Sequence, residues 1–165
     1  MKKFTFYVSI LLLAYSCVSS KSKSDDKYIY LVRHAEKMSN SKDPALTEQG
    51  QLRAQSLSKV LNSKDITGIY STNYKRTKGT AEPLSQRLGL PINLYDPSDL
   101  KGFSTELMKE IKGNVLVVGH SNSTPTLVNH LLGTETYNKL DESEYGDLFI
   151  VRISSEKITS SRDKF

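Results

Sequence analysis

The sequence predicts a three-layer α/β domain, in which a central, mostly parallel sheet carries helices on both faces. Two apolar runs, Tyr28–Val32 and Val115–Gly119, indicate buried strands, since parallel strands covered on both sides are continuously apolar. Between and after these runs, apolar residues recur at helical spacing. Strands that alternate with helices along a chain are typical of this fold class.

The first helix follows the first strand after a polar loop. Thr47 is its predicted N-cap, and the helix runs to about Leu61, with Leu57 and Val60 also on its apolar face. The short apolar run Ile66–Tyr70 then predicts a second strand.

The second helix is predicted over Lys75–Leu88. Gly89 supplies its C-terminal stop, and Pro83 inside it predicts a kink. The pattern then favours a strand over Pro91–Tyr95 and a short helix over Thr105–Ile111.

The last helix follows the strand Asn114–Gly119. Thr124 is its predicted N-cap, Pro125 takes the first helical position, and Gly133 stands just beyond its end. The run Leu148–Ile153 predicts the strand that closes the sheet.

The N-terminus is typical of an export signal. Two lysines precede the apolar run Phe4–Ala14, which is too short to span a bilayer, and the only cysteine follows at Cys17. This arrangement resembles a bacterial lipoprotein signal, with 1–16 removed and Cys17 lipidated. Residues 17–27 then form a flexible tether and 28–165 the domain, attached to the membrane of the cell envelope through the lipid. An ordinary secretory signal or an uncleaved anchor are the alternatives.

The composition excludes several classes of protein. A single cysteine rules out an internal disulfide framework, and no Cys/His cluster has the spacing of a zinc site, so neither a metal nor another cofactor is implied. The 23 basic and 18 acidic residues include no basic run interleaved with aromatics, so nucleic-acid binding has little support.

Cationic and imidazole groups stand at the ends of two predicted strands. Arg33 and His34 follow the first strand, and His120 follows Gly119 directly. Open α/β sheets place ligands beyond the carboxyl ends of their strands, so these groups are expected to meet at one edge. Imidazole is a nucleophile at neutral pH, and guanidinium is a planar fork suited to phosphate oxygens. This edge therefore predicts a phosphoryl-transfer site.

Three segments extend this pattern: Leu31–Lys37, Ile69–Thr77 with the Thr80–Glu82 turn, and Val117–Asn122. In order, they resemble the three signature blocks of the histidine phosphatase superfamily, which includes phosphoglycerate mutases, acid phosphatases and small phosphohistidine phosphatases. The resemblance covers nearly everything from Tyr28 to Ile153 and implies the phosphoglycerate mutase-like fold.

The resemblance also implies roles for individual residues. His34 is the expected nucleophile, forming a phosphohistidine that water then hydrolyses. Arg33, Arg76 and His120 are the expected clamp for the phosphoryl oxygens. Ser121, near the start of the last helix, is expected to bind phosphate as well, because free N–H groups there favour anions.

Two parts of the expected site are less defined. Asn40, six residues after His34, is a candidate phosphate ligand because some relatives place an asparagine there. Both the existence and the identity of a general acid that protonates the leaving oxygen are open. We favour Asp96 for its place just past a predicted strand, with Glu36, two residues after the nucleophile, as the alternative. The resemblance to small phosphohistidine phosphatases also allows a site without such an acid. The other carboxylates between the second and third blocks are Glu82, Asp99, Glu106 and Glu110.

Three further polar residues have simpler interpretations. Arg53 falls in a pattern that mainly opens a packed helix, so we expect a structural role. Ser71 ends a strand and could contact phosphate or only satisfy backbone groups. His130 matches no block and is predicted to be a surface histidine of the last helix.

The functional hypothesis is a metal-independent phosphatase that acts on a small phosphomonoester or similar group through a phosphohistidine. The alternative is a catalytically weak or inactive envelope module that binds a phosphorylated ligand. The sequence leaves the substrate and the oligomeric state open.

Overall fold

A six-stranded sheet forms the centre of the protein in the computed structural model, which describes residues 25–39 and 41–165. The strand order across the sheet is β3-β2-β4-β1-β5-β6. The strands are β1 (Lys27–Arg33), β2 (Ile66–Ser71), β3 (Ile92–Leu94), β4 (Asn114–Gly119), β5 (Asp147–Ile153) and β6 (Ile158–Lys164).

Helices cover both faces of this sheet, as the sequence predicts. They are α1 (Glu48–Leu61), α2 (Lys75–Leu88), α3 (Leu100–Glu110) and α4 (Ser123–Leu132). Alternate residues of β1 enter two separate cores. Ile29 and Leu31 pack with apolar residues of α3 and α4, whereas Tyr30 and Val32 pack with those of α1 and α2. The three-layer α/β prediction is confirmed.

The register of the central strands sets the position of the site. β1 pairs in parallel with β4, with Val32 opposite Val118 and Arg33 opposite Gly119. β4 also pairs in parallel with β2, and β2 with β3, whereas β5 and β6 are antiparallel. Because β1 and β4 end in register, the residues that follow them emerge side by side.

Two helices begin earlier than the sequence predicts. α3 starts at Leu100 rather than Thr105 because the Asp99 side chain accepts from the Gly102 N–H and caps the helix. α4 starts at Ser123 rather than after Thr124. The Ser123 hydroxyl is already engaged there, accepting from the backbone N–H of His120 at 2.9 Å.

The edge strand β6 is absent from the sequence prediction, so Leu148–Ile153 does not close the sheet. β6 lies antiparallel to β5 and consists largely of polar residues. Two of its side chains, Arg162 and Lys164, make ion pairs with the buried carboxylate of Asp147. An exposed polar edge strand shows no apolar alternation, so its sequence gives no strand signal.

The apolar face of α1 also differs from the expected one. Leu57 and Leu61 are fully buried, but Val60 is 39 % exposed. The face is completed by Ala54 and Ser58, which are both buried. α2 runs as one helix through Pro83, and Gly89 ends it in the left-handed conformation with φ of 66°.

Residues 1–16, Cys17 and most of the 17–27 tether lie outside the described residues, so the export signal and the lipid anchor stay predictions. Among the helices that the structure describes, none is long and apolar enough to cross a membrane.

Candidate active site

The carboxyl ends of β1 and β4 bring the two predicted catalytic histidines together. The backbone N–H of His34 donates to the carbonyl of Gly119 at 2.9 Å, which extends the ladder between the two strands. The ring centroids of His34 and His120 lie 5.6 Å apart, with their planes at 69°. Parallel pairing in register therefore produces the juxtaposition that the sequence predicts.

His34 is buried and held in one orientation. It is 3 % exposed, and its Nδ1 lies 2.8 Å from the carbonyl oxygen of Ala35, a group that can only accept. The proton is therefore on Nδ1, and Nε2 carries the free lone pair. Burial of the ring, reinforced by the positive charges of Arg33 and Arg76, lowers the pKa of His34 to about 3. The ring is neutral at physiological pH, as a nucleophile requires.

His120 is fixed through a different contact. Its Nε2 lies 3.0 Å from the hydroxyl of Thr72, which in turn donates to the hydroxyl of Thr77 at 3.0 Å. Burial and the neighbouring Arg76 and Arg33 lower the pKa of His120 to about 4. The second histidine is thus also neutral at physiological pH.

Arg76 reaches the site from the first turn of α2. Its guanidinium carbon lies 4.3 Å from the centroid of the Tyr74 ring, and Nη1 lies 3.7 Å from a carboxylate oxygen of Asp43. Thr80 ties this turn to the nucleophile segment, because its hydroxyl donates to the Arg76 carbonyl and accepts from the backbone N–H of Ala35. The positions of Arg76 and His34 are therefore coupled through one threonine.

Arg33 is enclosed by the loop between α4 and β5. Its side chain is only 2 % exposed, and its guanidinium carbon lies 4.3 Å from the centroid of the Tyr145 ring. Nη1 donates to the carbonyls of Asp141, Glu142 and Glu144 at 2.8 to 3.1 Å. One end of this guanidinium thus anchors the loop rather than facing a ligand.

Within the part of the chain that the structure describes, two buried donors of the site have no hydrogen-bond partner. They are the Nε groups of Arg33 and Arg76. A buried N–H without an acceptor costs about 1 to 3 kcal/mol, and more for a charged group, so such groups indicate a missing partner. An oxyanion bound between the two arginines would supply acceptors for both.

Aromatic rings flank the histidines on two sides. Tyr74 contacts the His120 ring edge-on with centroids 5.1 Å apart, and Tyr145 lies 6.3 Å from the His34 ring. Each tyrosine also stacks on one of the two arginines. These rings restrict the guanidinium groups and contribute to the desolvation of the site.

The remaining predicted site residues are Ser121, Asn40 and Asp96. Ser121 is buried beside His120, and its hydroxyl donates to the carboxylate of Glu142 at 2.7 Å. Asn40 lies outside the described residues and stays a prediction. Asp96 is exposed and accepts from the backbone N–H and hydroxyl of Ser98.

The hydrogen bonds to Ser98 lower the pKa of the Asp96 carboxyl. Among the described residues, no hydrogen bond or ion pair joins Asp96 to the histidines or arginines of the site. Its assignment as general acid therefore stays a prediction that depends on its place in the sequence.

Four other polar residues are placed more clearly. The carboxylate of Glu36 accepts three hydrogen bonds from Arg53 at 2.6 to 2.9 Å. This pair links the N-terminal half of α1 to the chain segment that follows His34. This supports the structural role expected of Arg53. The Ser71 hydroxyl donates to the Thr72 carbonyl, which is the backbone role, and His130 is exposed, as predicted.

Sequence reasoning missed the polar and aromatic residues that support the site: Thr72, Tyr74, Thr80, Glu142 and Tyr145. The first three lie in the second signature block, and this position could have indicated that they are close to the site. Glu142 and Tyr145 belong to a loop outside all three blocks, and no pattern in the sequence connects that loop with Arg33. Within residues 25–39 and 41–165, no group of three His, Cys, Asp or Glu side chains is placed to hold a metal ion.

Comparison with known sequences identifies the family that this arrangement resembles. Residues 29–97 match the sequence model of the histidine phosphatase superfamily (branch 1). A Schizosaccharomyces pombe protein described as a probable phosphatase is 34 % identical over 87 residues, which cover 47 % of this chain. The chain spans about a third of that relative's length, since the match covers 31 % of it.

Comparison with solved structures shows the same fold. A mycobacterial glucosyl-3-phosphoglycerate phosphatase has a TM-score of 0.67 at 16 % identity, with 85 % of this chain and 98 % of that chain covered. The protein histidine phosphatase SixA has a TM-score of 0.67 at 17 % identity, covering 83 % and 96 %.

A phosphoserine phosphatase from Entamoeba histolytica has a TM-score of 0.63 at 15 % identity, covering 84 % and 98 %. The chain is thus similar in sequence to the histidine phosphatase superfamily over β1 to β3, and it shares its fold with these solved structures.

Proposed function

We propose that this protein is a phosphatase that hydrolyses a small phosphomonoester or a similar phosphorylated group through a phosphohistidine on His34. The observation that carries the proposal is a buried, neutral His34 that lies beside His120, together with two arginines whose Nε groups have no acceptor in the described part of the chain. The family match and the phosphatases that share the fold support the same activity.

In the first step, Nε2 of His34 attacks phosphorus and the bond from phosphorus to the leaving oxygen breaks. The leaving oxygen takes a proton from the general acid or, where there is none, from water, and departs as the alcohol. The Nδ1 proton remains hydrogen-bonded to the Ala35 carbonyl, so the phosphorylated ring keeps its orientation. Charge on the equatorial oxygens is compensated by Arg33 and Arg76, whose buried Nε groups have no acceptor among the described residues.

In the second step, water attacks phosphorus, the bond from nitrogen to phosphorus breaks, and inorganic phosphate leaves with His34 neutral again. Two displacements replace a single difficult hydrolysis. His120 lies beside the nucleophile, and its ring is held in place by the contact between Nε2 and the Thr72 hydroxyl. The cationic groups of the chain thus provide the electrostatic part of catalysis.

The decisive experiment is a rapid quench with a phosphorylated substrate such as p-nitrophenyl phosphate. We expect acid-labile, base-stable phosphate on the protein, and its loss in His34→Ala. His130→Ala is the matched control, because it removes an exposed imidazole of α4. Full turnover by His34→Ala, or equal loss in both variants, would contradict the nucleophile assignment.

The second candidate is a binding module that holds a phosphorylated ligand and turns it over slowly or not at all. It is favoured by one observation, the absence of a contact between Asp96 and the site among the described residues. The two functions differ in a simple measurement. Tight phosphate binding without turnover of any phosphomonoester would favour the module.

We also propose that the protein is exported and attached to the bacterial cell envelope through a lipid on Cys17. The support is the order of charged, apolar and cysteine residues at the N-terminus. Labelled palmitate should enter the wild-type protein and not Cys17→Ser. Equal labelling of both proteins would contradict lipidation at this residue.

A further inference from the structure

The loop that encloses Arg33 also delivers a carboxylate to the site. Glu142 Oε2 accepts from Nη2 of Arg33 at 2.8 Å, and Oε1 accepts from the Ser121 hydroxyl at 2.7 Å. Arg33 and Ser121 are both expected ligands of the substrate phosphoryl group. One carboxylate therefore contacts the side chains of two residues that are expected to lie against the phosphoryl group.

The geometry of Arg33 makes this contact informative. Nε and Nη2 form one edge of the guanidinium, the edge that binds an oxyanion through two parallel hydrogen bonds. On Arg33, Nη2 is bonded to Glu142, whereas the buried Nε has no partner among residues 25–39 and 41–165. On Arg53, the same edge is fully paired with the Glu36 carboxylate, both nitrogens donating at 2.6 to 2.9 Å. Glu142 thus occupies one of the two nitrogens of this edge of Arg33, Nη2, and leaves Nε available to a ligand.

Glu142 is also placed to leave. Its side chain is 65 % exposed. Its other contact is an ion pair with the exposed Lys139, whose Nζ lies 3.6 Å from Oε1 of Glu142. The loop itself is held by the three backbone carbonyls bonded to Nη1 of Arg33, so these contacts do not depend on the Glu142 side chain. The carboxylate can therefore rotate outward while the loop stays in place.

We infer that Glu142 is an internal anion that occupies part of the phosphate subsite in the free protein and is displaced by the phosphoryl group of the substrate. The inference depends on the proposed function, since it takes Arg33 and Ser121 as phosphate ligands. Glu142 then raises the dissociation constant of an anionic ligand, because the ligand must displace the carboxylate when it binds. The hydrogen bond from Ser121, together with Arg33 and Lys139, lowers the pKa of the Glu142 carboxyl, so the competing group is charged at neutral pH.

Calorimetric titration with inorganic phosphate and with orthovanadate tests this inference without requiring turnover. Glu142→Gln keeps the shape but removes the charge, and should lower the dissociation constant of both anions about two- to fivefold, the range for an exposed ion pair. Glu142→Asp keeps the charge but is too short to reach both donors, so it should also bind phosphate more tightly than wild type. Asp141→Asn removes a charge from the same loop, and its side chain contacts Ser143 rather than Arg33, so it should have a much smaller effect.

Each outcome of this titration has a meaning. Equal or weaker phosphate binding by Glu142→Gln would overturn the inference, weaker binding showing instead that Glu142 positions Arg33. Wild-type affinity in Glu142→Asp, or an equal gain in Asp141→Asn, would show that net charge rather than occupancy matters, and would also overturn it. If no variant and no wild-type protein binds phosphate or vanadate, the proposed phosphatase site itself fails.

Discussion

The buried neutral state of His34 predicts a specific dependence of stability on pH. In the unfolded chain a histidine binds a proton near pH 6.5, whereas burial lowers the pKa of His34 in the folded protein to about 3. Between these two values the unfolded state binds more protons than the folded state. The stability that His34 contributes is therefore complete above about pH 6.5 and is lost as the pH falls towards 3.

The size of this effect follows from the two pKa values. Each pH unit in that window costs about 1.4 kcal/mol, so His34 alone should reduce the free energy of unfolding by about 2.5 kcal/mol between pH 7 and pH 4.5. Replacing His34 with Asn removes the titrating ring and keeps a side-chain amide that can donate to the Ala35 carbonyl. Urea unfolding of the wild type and of His34→Asn, each at pH 7 and 4.5, measures the difference.

The comparison between variants isolates His34 from other titrating groups, because His120 and the carboxylates are present in both proteins. His130→Asn serves as a control for the loss of an exposed imidazole, and should show the wild-type dependence on pH. If the wild type and His34→Asn lose the same free energy on acidification, within about 0.5 kcal/mol, the buried neutral imidazole would be refuted.

Three further predictions concern the same site. Arg76→Lys should reduce kcat/KM by about 30- to 1000-fold, which is the loss expected for one preorganised donor. Lysine keeps the charge but not the planar guanidinium that stacks on Tyr74. Wild-type steady-state kinetics in this variant would contradict a role of Arg76 in binding the phosphoryl group. Gly119→Ala should lower the free energy of unfolding by about 1 to 3 kcal/mol. The added Cβ would lie 2.8 Å from Thr124 Oγ1 and 2.9 Å from the Tyr95 hydroxyl, which is too close for either contact. An unchanged melting temperature in thermal melts would show that this region is less tightly packed. Vanadate and phosphate should inhibit turnover and EDTA should not, so an EDTA-sensitive activity that magnesium restores would reject the metal-independent mechanism.

The identity of the general acid gives one more prediction, because the structure leaves Asp96 without a contact to the site among the described residues. If no acid protonates the leaving group, the rate should depend steeply on the pKa of the leaving alcohol, and p-nitrophenyl phosphate should be cleaved far faster than alkyl phosphates. If Asp96 is the acid, Asp96→Asn should slow alkyl phosphates much more than p-nitrophenyl phosphate. Equal effects on both substrates would remove Asp96 from the mechanism.

The central sheet and the catalytic histidines could be predicted from sequence because their signals are strong and local. Buried parallel strands are continuous apolar runs, and the histidines follow two of them directly, so the pairing of β1 with β4 was enough to bring His34 and His120 together. The edge strand β6 could not be predicted, since its polar residues pair only at the border of the sheet. The start of α3 differs from the predicted one because its N-cap, Asp99, lies before the apolar pattern from which the helix was predicted.

The loop before β5 was the least predictable part of the site. It has no regular structure, and its relation to Arg33 depends on backbone carbonyls, which any sequence supplies. Glu142 lies outside every recognised block, and only its position in three dimensions reveals the contact with Ser121. Residues that act through such loops leave no periodic pattern in the sequence.

The parallel pairing of β1 with β4 has a consequence for how the protein folds. These strands are joined by a connection that contains three helices and two strands, so no local hairpin can bring the two histidines together. Closing so long a connection is entropically costly and makes folding slow relative to proteins with local contacts. Incompletely folded chains therefore lack the assembled anion site. Phosphate, which then binds the native state alone, should shift the folding equilibrium towards the native state by mass action.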